Sequence, residues 1–265
     1  MSTILFDRAV FGPVKSRRLG ISLGINLLPE NGKVCSFDCL YCECGYTRGA
    51  EPSGKLSTLP TRAEVERKLE ATLKQMAARG ERPDVITFAG NGEPTLNPQF
   101  ANIIEDTVEL RDRLAPEARV CVLTNATRLG DESVVKALSM TDEAILKIDS
   151  GLEETIMRMD RPAPGYSLRS VVEQIKKEKA RLGDALTIQT MFASWTDGQG
   201  EYDNSREADV APWLDIVREI APPRVMIYTI DRETPLKTMA KTPREVLDKI
   251  ADRAREIVDE VTVSY

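Results

Sequence analysis

Histidine is absent from all 265 residues. That gap removes the Ser-His-Asp and Cys-His hydrolases, the HExxH zinc proteases and haem bound through a histidine, so any chemistry must rest on other groups. Long apolar runs are also missing: none approaches the roughly 20 residues of a membrane span. The start, MSTILFDRAVFGP, lacks the basic region and apolar core of a signal peptide, so a cytoplasmic protein without membrane contact is expected. Positive charge falls short as well. Lys and Arg number 36 against 42 Asp and Glu, a net charge of −6 with a pI near 5.1, which provides no global field to draw in nucleic acid or anionic lipid, although a local basic patch stays open. With 42% hydrophobic and 29% charged residues, the chain is composed like a globular protein that buries a real core. Its length suits one α/β domain spanning 1–265, since α/β barrels reach this size undivided.

The hydrophobic pattern alternates between two periods. After an irregular Gly- and Arg-containing start, Ile21 to Leu28 reads as a strand ending in the turn PENG. Residues 1–34 thus form an N-terminal extension and first strand. A Thr61-x-x-Glu64 capping box opens a helix to about Arg79, and DVITFA, Asp84 to Ala89, is a buried-strand pattern. Asn97 as cap with Pro98 behind it predicts a helix to about Leu114, followed by a strand from Ala118 to Leu123. A helix over Asp131 to Ser139 and a strand over Glu143 to Ile148 continue the series, and Leu168, Val171, Val172, Ile175 and Leu182 share a helical face before the strand Ala185 to Phe192. The polar, Gly-containing stretch 194–207 reads as a loop, either a lid over a site or a plain insertion. A helix from Ala208 to Ile220, a strand from Arg224 to Tyr228, a Thr242-Pro243-x-Glu245 capping box and a strand from Val261 to Ser264 complete the alternation. Strands separated by helices imply a parallel sheet with right-handed crossovers. About six such units is too few for a closed eight-fold barrel, which leaves a partial (β/α)6 TIM-like barrel or an open doubly wound sheet.

Cysteine use is uneven. Four of the five cysteines lie between Cys35 and Cys44, and in a reducing compartment they are metal ligands or buried thiols before they are disulfides. The CxxxCxxC spacing of Cys35, Cys39 and Cys42 lets three thiolates of one tight loop, residues 35–44, reach three irons of a cubane cluster and leave the fourth open. Soft thiolates select zinc or iron-sulfur, and with Cys44 as a fourth ligand the site would be closed and structural. Directly after DVITFA comes Gly90-Asn91-Gly92-Glu93-Pro94, a glycine turn at the carboxyl end of a strand, where parallel folds bind ligands. Its glycines admit close backbone approach, and Glu93 offers an anionic acceptor to an ammonium group. By itself this is a β-turn; some fifty residues behind CxxxCxxC the combination is highly specific.

With both motifs present, the sequence resembles the radical S-adenosylmethionine (radical SAM) superfamily over nearly its whole length. The resemblance implies a partial (β/α)6 barrel with one 4Fe-4S cluster on Cys35, Cys39 and Cys42, and SAM chelating the open iron. It places Tyr41 near the adenine and Gly90, Asn91, Gly92 and Glu93 on the methionine amino group. Thr124 and Asn125 after one strand, and Lys147 and Asp149 after the next, stand where the fold presents groups to SAM or substrate. Within the superfamily, GPVKSRRLGISLGINLLP, CSFDCLYCE, FAGNGEPTLNP, LTNAT, KIDSG and RPAPGYS look like a single-domain group similar to the core of 4-demethylwyosine synthase, a tRNA-modifying enzyme. Lys15 stands where many relatives have proline.

That enzyme is expected to carry a second cluster, for which only Cys44 and Cys121 would remain here. One cluster is therefore expected, with a small-molecule or peptide substrate ahead of tRNA and an electron donor such as flavodoxin or ferredoxin. A radical reaction of this kind proceeds without a general base poised near neutrality, which accommodates the missing histidine. Arg17, Arg18 and Lys15 would meet a phosphate or carboxylate, or form structural ion pairs. Tyr228, Thr229, Asp231 and Arg232 close the last barrel strand, Trp195 caps the site or anchors its loop, and Cys121 reads as a buried thiol. A non-catalytic iron-sulfur or zinc protein is the remaining alternative.

Overall fold

The computed structural model describes residues 4–47 and 57–265. The start, expected to be irregular, is instead a strand: β1 (Val10–Ser16) pairs antiparallel with β2 (Gly20–Ile25). Gly12 and Pro13 had masked it. They sit at an irregularity in the register between Phe11 and Val14, on an edge strand where a missing N–H disrupts nothing.

The following units alternate as expected. Helix α1 (Arg62–Ala78) opens on Thr61, whose hydroxyl accepts from Glu64 N at 3.3 Å. β3 (Val85–Phe88) leads to α2 (Phe100–Leu114), which begins later than Asn97 and Pro98 suggested. Asn97 is drawn into the interior, donating to Leu27 O at 2.9 Å and Pro60 O at 3.3 Å, and a short 3-10 turn over Pro94–Leu96 precedes it. β4 (Arg119–Thr124), α3 (Glu132–Leu138) and β5 (Glu143–Lys147) follow, then α4 (Glu153–Met159), too short to register as a period, and α5 (Leu168–Leu182).

After β6 (Leu186–Met191) the stretch expected as a loop forms a hairpin, β7 (Ala193–Asp197) and β8 (Gly200–Asp203). Then come α6 (Glu207–Ile220), β9 (Arg224–Tyr228), β10 (Ala240–Lys241), α7 (Arg244–Arg255) and β11 (Glu260–Ser264). Thr242 does not cap α7. Pro243 takes that position without a side-chain bond, while Thr242 N donates to Thr229 Oγ1 at 2.9 Å.

The main sheet runs β1-β2-β3-β4-β5-β6-β9-β11, parallel from β2 onward, and curls into a half-barrel backed by the helices. Its outward residues, among them Ile86, Phe88, Val122, Leu146, Ile188 and Ile227, join the large helix-packed core. Each fully buried aliphatic or aromatic side chain there contributes about 1.5–3 kcal/mol. Alternation sends Val85, Cys121, Leu123, Ile145 and Met226 to the inner face, where Leu19 from the β1–β2 turn packs on them. The hairpin β7–β8 and β10 make a separate three-stranded sheet. Among the described residues, no helix is long and apolar enough to cross a membrane.

Candidate functional site

The two motifs are joined by backbone before any side chain is considered. Val34, just ahead of Cys35, bridges in parallel to Gly92: Val34 N donates to Asn91 O at 2.8 Å, and Glu93 N to Val34 O at 3.1 Å. The cysteine loop therefore extends the order of β3 beyond its carboxyl end. Gly92 makes this approach feasible: its φ is 133°, and a Cβ there would lie 1.9 Å from Val34 O. The loop's far side docks on the end of α4, where Asp38 N donates to Asp160 O at 2.9 Å and Leu40 N to Met159 O at 2.8 Å. Asp38, 2% exposed, pairs with Arg161 at 2.9 Å and Lys33 at 3.6 Å. In the RPAPGYS segment, Ala163 N donates to Ser36 O at 2.7 Å.

Cys35, Cys39 and Cys42 open into one cavity of about 220 Å³ at the carboxyl ends of the parallel strands, together with Tyr41, Gly90, Gly92, Glu93, Thr124, Asn125 and Lys147. Ten of the twelve residues expected from sequence share it. The side chain of Asn91 is not brought there: it accepts from Phe6 N at 2.9 Å and donates to Phe6 O and Pro29 O, pinning the N-terminal segment. Nor does Asp149 line the cavity. It stands behind, accepting from Lys147 Nζ at 2.6 Å, from Met191 N at 2.9 Å and from the Tyr41 hydroxyl.

Glu93 is 2% exposed and forms no ion pair among the described residues, yet both carboxylate oxygens are hydrogen-bonded. Oε1 accepts from Thr95 Oγ1 at 2.6 Å and Thr124 Oγ1 at 2.7 Å; Oε2 accepts from Asn125 N at 2.7 Å alone. Burial raises its pKa, and these hydrogen bonds oppose the rise. Asn125 also donates to Ser36 Oγ at 2.8 Å, tying β4 to the cysteine loop.

The thiols are electrostatically unequal. Burial pushes Cys35 up to about 12, and raises Cys39 as well. Cys42 is lowered to about 6, first by its hydrogen bond with Cys44 and then, against burial, by Lys33. Cys44 lies outside the cavity lining, its Sγ donating to Gly90 O at 3.2 Å. Cys121 is fully buried low on β4, where its thiol donates to Glu143 Oε2 at 3.4 Å. Lys147 lies half-buried over the Tyr41 ring at 4.5 Å; burial opposes its charge, but Asp149, Tyr228 and Asp160 hold its pKa above the ordinary value. Lys33 is similarly held up against burial by the three loop thiols. Among the described residues, no three His, Cys, Asp or Glu side chains are grouped for a single metal ion.

The radical SAM superfamily matches residues 32–199, which span every element just described from Lys33 to β7. The chain belongs to that superfamily. It is accordingly a radical SAM enzyme, a class whose cofactors are SAM and a 4Fe-4S cluster. UPF0026 protein slr1464 of Synechocystis is 32% identical over 86% of this chain and 78% of its own. A radical SAM methyltransferase from Sphaerobacter thermophilus shares the fold with a TM-score of 0.65 at 13% identity, over 92% of this chain and 66% of that one. TYW1 with a lysine-pyruvate adduct bound has a TM-score of 0.61 at 13% identity, over 89% of this chain and 74% of that one. The chain thus spans just under two thirds of the methyltransferase, and at these identities the two solved structures bear on the fold alone.

Several residues that shape this radical SAM site escaped sequence reasoning. Asn26, fully buried, accepts from Asn91 N at 3.0 Å and sets the GNGEP turn. Lys33, Asp38, Asp160 and Arg161 hold the cysteine loop, and Gln189 lines the cavity from β6. Asn26, Asp38 and Arg161 lay within quoted segments without a role of their own there; Lys33, Asp160 and Gln189 carry no pattern of their own. Of the last-strand group, Tyr228 faces the cavity, whereas Thr229 holds Thr242, and Asp231 and Arg232 pair with Arg17 and Glu43. Trp195 is 2% exposed and stacked on Tyr202, so it anchors the hairpin.

Proposed function

We propose that this chain reductively cleaves SAM at a 4Fe-4S cluster on Cys35, Cys39 and Cys42 and takes hydrogen from a small-molecule or peptide substrate. The observation that carries this reading is the convergence of three thiols and the buried Glu93 carboxylate on one cavity at the strand ends. The donor set suits such a group. Soft thiolates select iron-sulfur, and Lys33 and Lys147 supply positive charge against them.

When bound, the cluster and SAM supply a 5'-deoxyadenosyl radical strong enough to remove hydrogen from carbon. The chain's part is placement and the exclusion of water. Glu93, steered by Thr95, Thr124 and Asn125, keeps acceptor capacity on Oε2 for the ammonium of SAM. Gly90 and Gly92 offer backbone close by, and Tyr41 presents its ring beside the last cysteine, held by its hydroxyl to Asp160 at 3.2 Å. The electron would come from a donor of the flavodoxin or ferredoxin class. Cys44 and Cys121 stand apart, one on Gly90 and one on Glu143, which supports a single cluster.

Anaerobic reconstitution followed by dithionite reduction tests the proposal. 5'-Deoxyadenosine should accumulate from SAM, faster when the correct cell-extract metabolite or peptide is added. Production no greater than that of the reconstituted Cys39→Ala protein would end it.

A further inference from the structure

The β1–β2 turn brings two arginines across the inner face of the half-barrel, and the two are treated differently. Arg17 is consumed by structure: its Nε pairs with Asp231 at 3.1 Å and its Nη1 donates to the carbonyl of Tyr265. Arg18 points the other way. Its guanidinium lies over the Tyr228 ring at 4.3 Å and lines the same cavity as the cysteines and Glu93. Nη1 is buried without a hydrogen-bond partner, and among the described residues the group pairs with no carboxylate.

The surrounding acids are already engaged. Glu143, on the inner face below, is held by Arg119 at 3.0 Å, Asp84 accepts from Ile21 N at 2.6 Å, and Asp149 holds Lys147. A guanidinium stays charged at any physiological pH, and a half-buried one whose Nη1 is buried without an acceptor carries a cost. Its planar fork matches a carboxylate, and one unmatched positive charge calls for one negative charge.

We infer that Arg18 binds a carboxylate group of the substrate within this cavity, opposite the cysteine loop. The inference rests on the cavity being the radical site proposed above, and it narrows the substrate class to carboxylates. Tyr228 beneath the guanidinium keeps the fork flat and oriented.

Acetate and its neutral isostere acetamide are suitable probes, titrated into anaerobically reconstituted protein and followed by ligand-observed NMR. Acetate should bind about tenfold or more tightly than acetamide, the worth of one hydrogen bond to a charged group. Arg18→Gln should abolish the preference and Arg18→Lys should keep part of it, with SAM affinity unchanged within twofold in both. No acetate preference in the wild type, or a preference that survives Arg18→Gln, would overturn the assignment. Inorganic phosphate binding more tightly than acetate would overturn the carboxylate, and a tenfold loss of SAM affinity in both variants would move Arg18 to the cofactor. 5'-Deoxyadenosine formation, measured on the same preparations, reports separately on the proposed reaction, so each reading can fail without the other.

Discussion

The two sides of the cavity are built on opposite principles. On the cysteine side, Glu93 accepts from three residues, Asn125 bonds both Glu93 and Ser36, and Asp38 is paired twice. Densely connected polar networks of this kind fix geometry before any ligand arrives, although among the described residues Asp160 Oδ2 is buried there without a hydrogen-bond partner. On the side facing it, Arg18 has an aromatic platform but no counter-ion among the described residues. A rigid, densely bonded wall suits guests whose position must be exact, while an unpaired guanidinium suits an anionic one. On the proposed reading, the cysteine wall serves the cofactors and the arginine wall the substrate.

The harshest way to break the comparison is Gly92→Ala. The new Cβ would lie 1.9 Å from the Val34 carbonyl at a φ of 133°, both of which disfavour it. Because the backbone bridge at Val34 joins the two motifs, we expect a loss of about 3–5 kcal/mol or outright misfolding. Chemical denaturation should register it. A fully stable variant with normal iron and SAM binding would mean that the cysteine wall is not built around that bridge.

Next in size are the cysteines themselves. Cys39→Ala should remove the iron-sulfur absorbance of reconstituted protein almost entirely, whereas Cys44→Ala should retain it, because Cys44 lies outside the cavity lining and is held by Gly90 O. Equal losses in the two variants would make Cys44 a ligand and close the site. Retention in both would undo the cluster assignment.

A smaller effect is expected of Glu93→Ala. It leaves the backbone N–H of Asn125 without its acceptor, a cost of about 1–3 kcal/mol, while the Thr95 and Thr124 hydroxyls can rotate. It should also weaken SAM binding about tenfold or more with the cluster intact. Unchanged SAM affinity would leave Glu93 a turn-cap alone, since it also caps the 3-10 turn through Thr95 N.

What the chain declared in advance follows the same division. CxxxCxxC and GNGEP are short, contiguous and chemically loaded, and the apolar runs of β3 to β6 are buried on both faces, so the cysteine wall and the parallel half-barrel were legible. Asn26, Lys33 and Asp38 were not, because each acts through a backbone or charge partner set only by the fold. The hairpin β7–β8 hid behind Gly198 and Gly200, which read as loop yet lie in its turn and at the start of β8. Arg17 and Arg18 were indistinguishable as neighbours in sequence; only the turn that sends one to Asp231 and the other to Tyr228 separates them.

The smallest predicted effect is on stability at that turn. Replacing a half-buried, unmatched charge with an apolar chain of similar length is often neutral or favourable, and here it is opposed only by the loss of a cation–π contact worth about 0.5–2 kcal/mol. Arg18→Met should therefore unfold within about 1 kcal/mol of wild type in urea, with an unchanged slope. Because the residue would be kept for a guest and not for the fold, the same variant should lose its acetate preference while remaining equally stable. A destabilisation of about 3 kcal/mol or more would instead mean that Arg18 holds the inner face together, as Leu19 beside it does through Val85, Cys121, Ile145 and Met226. The two walls would then both be structural, and the carboxylate would lose its physical basis.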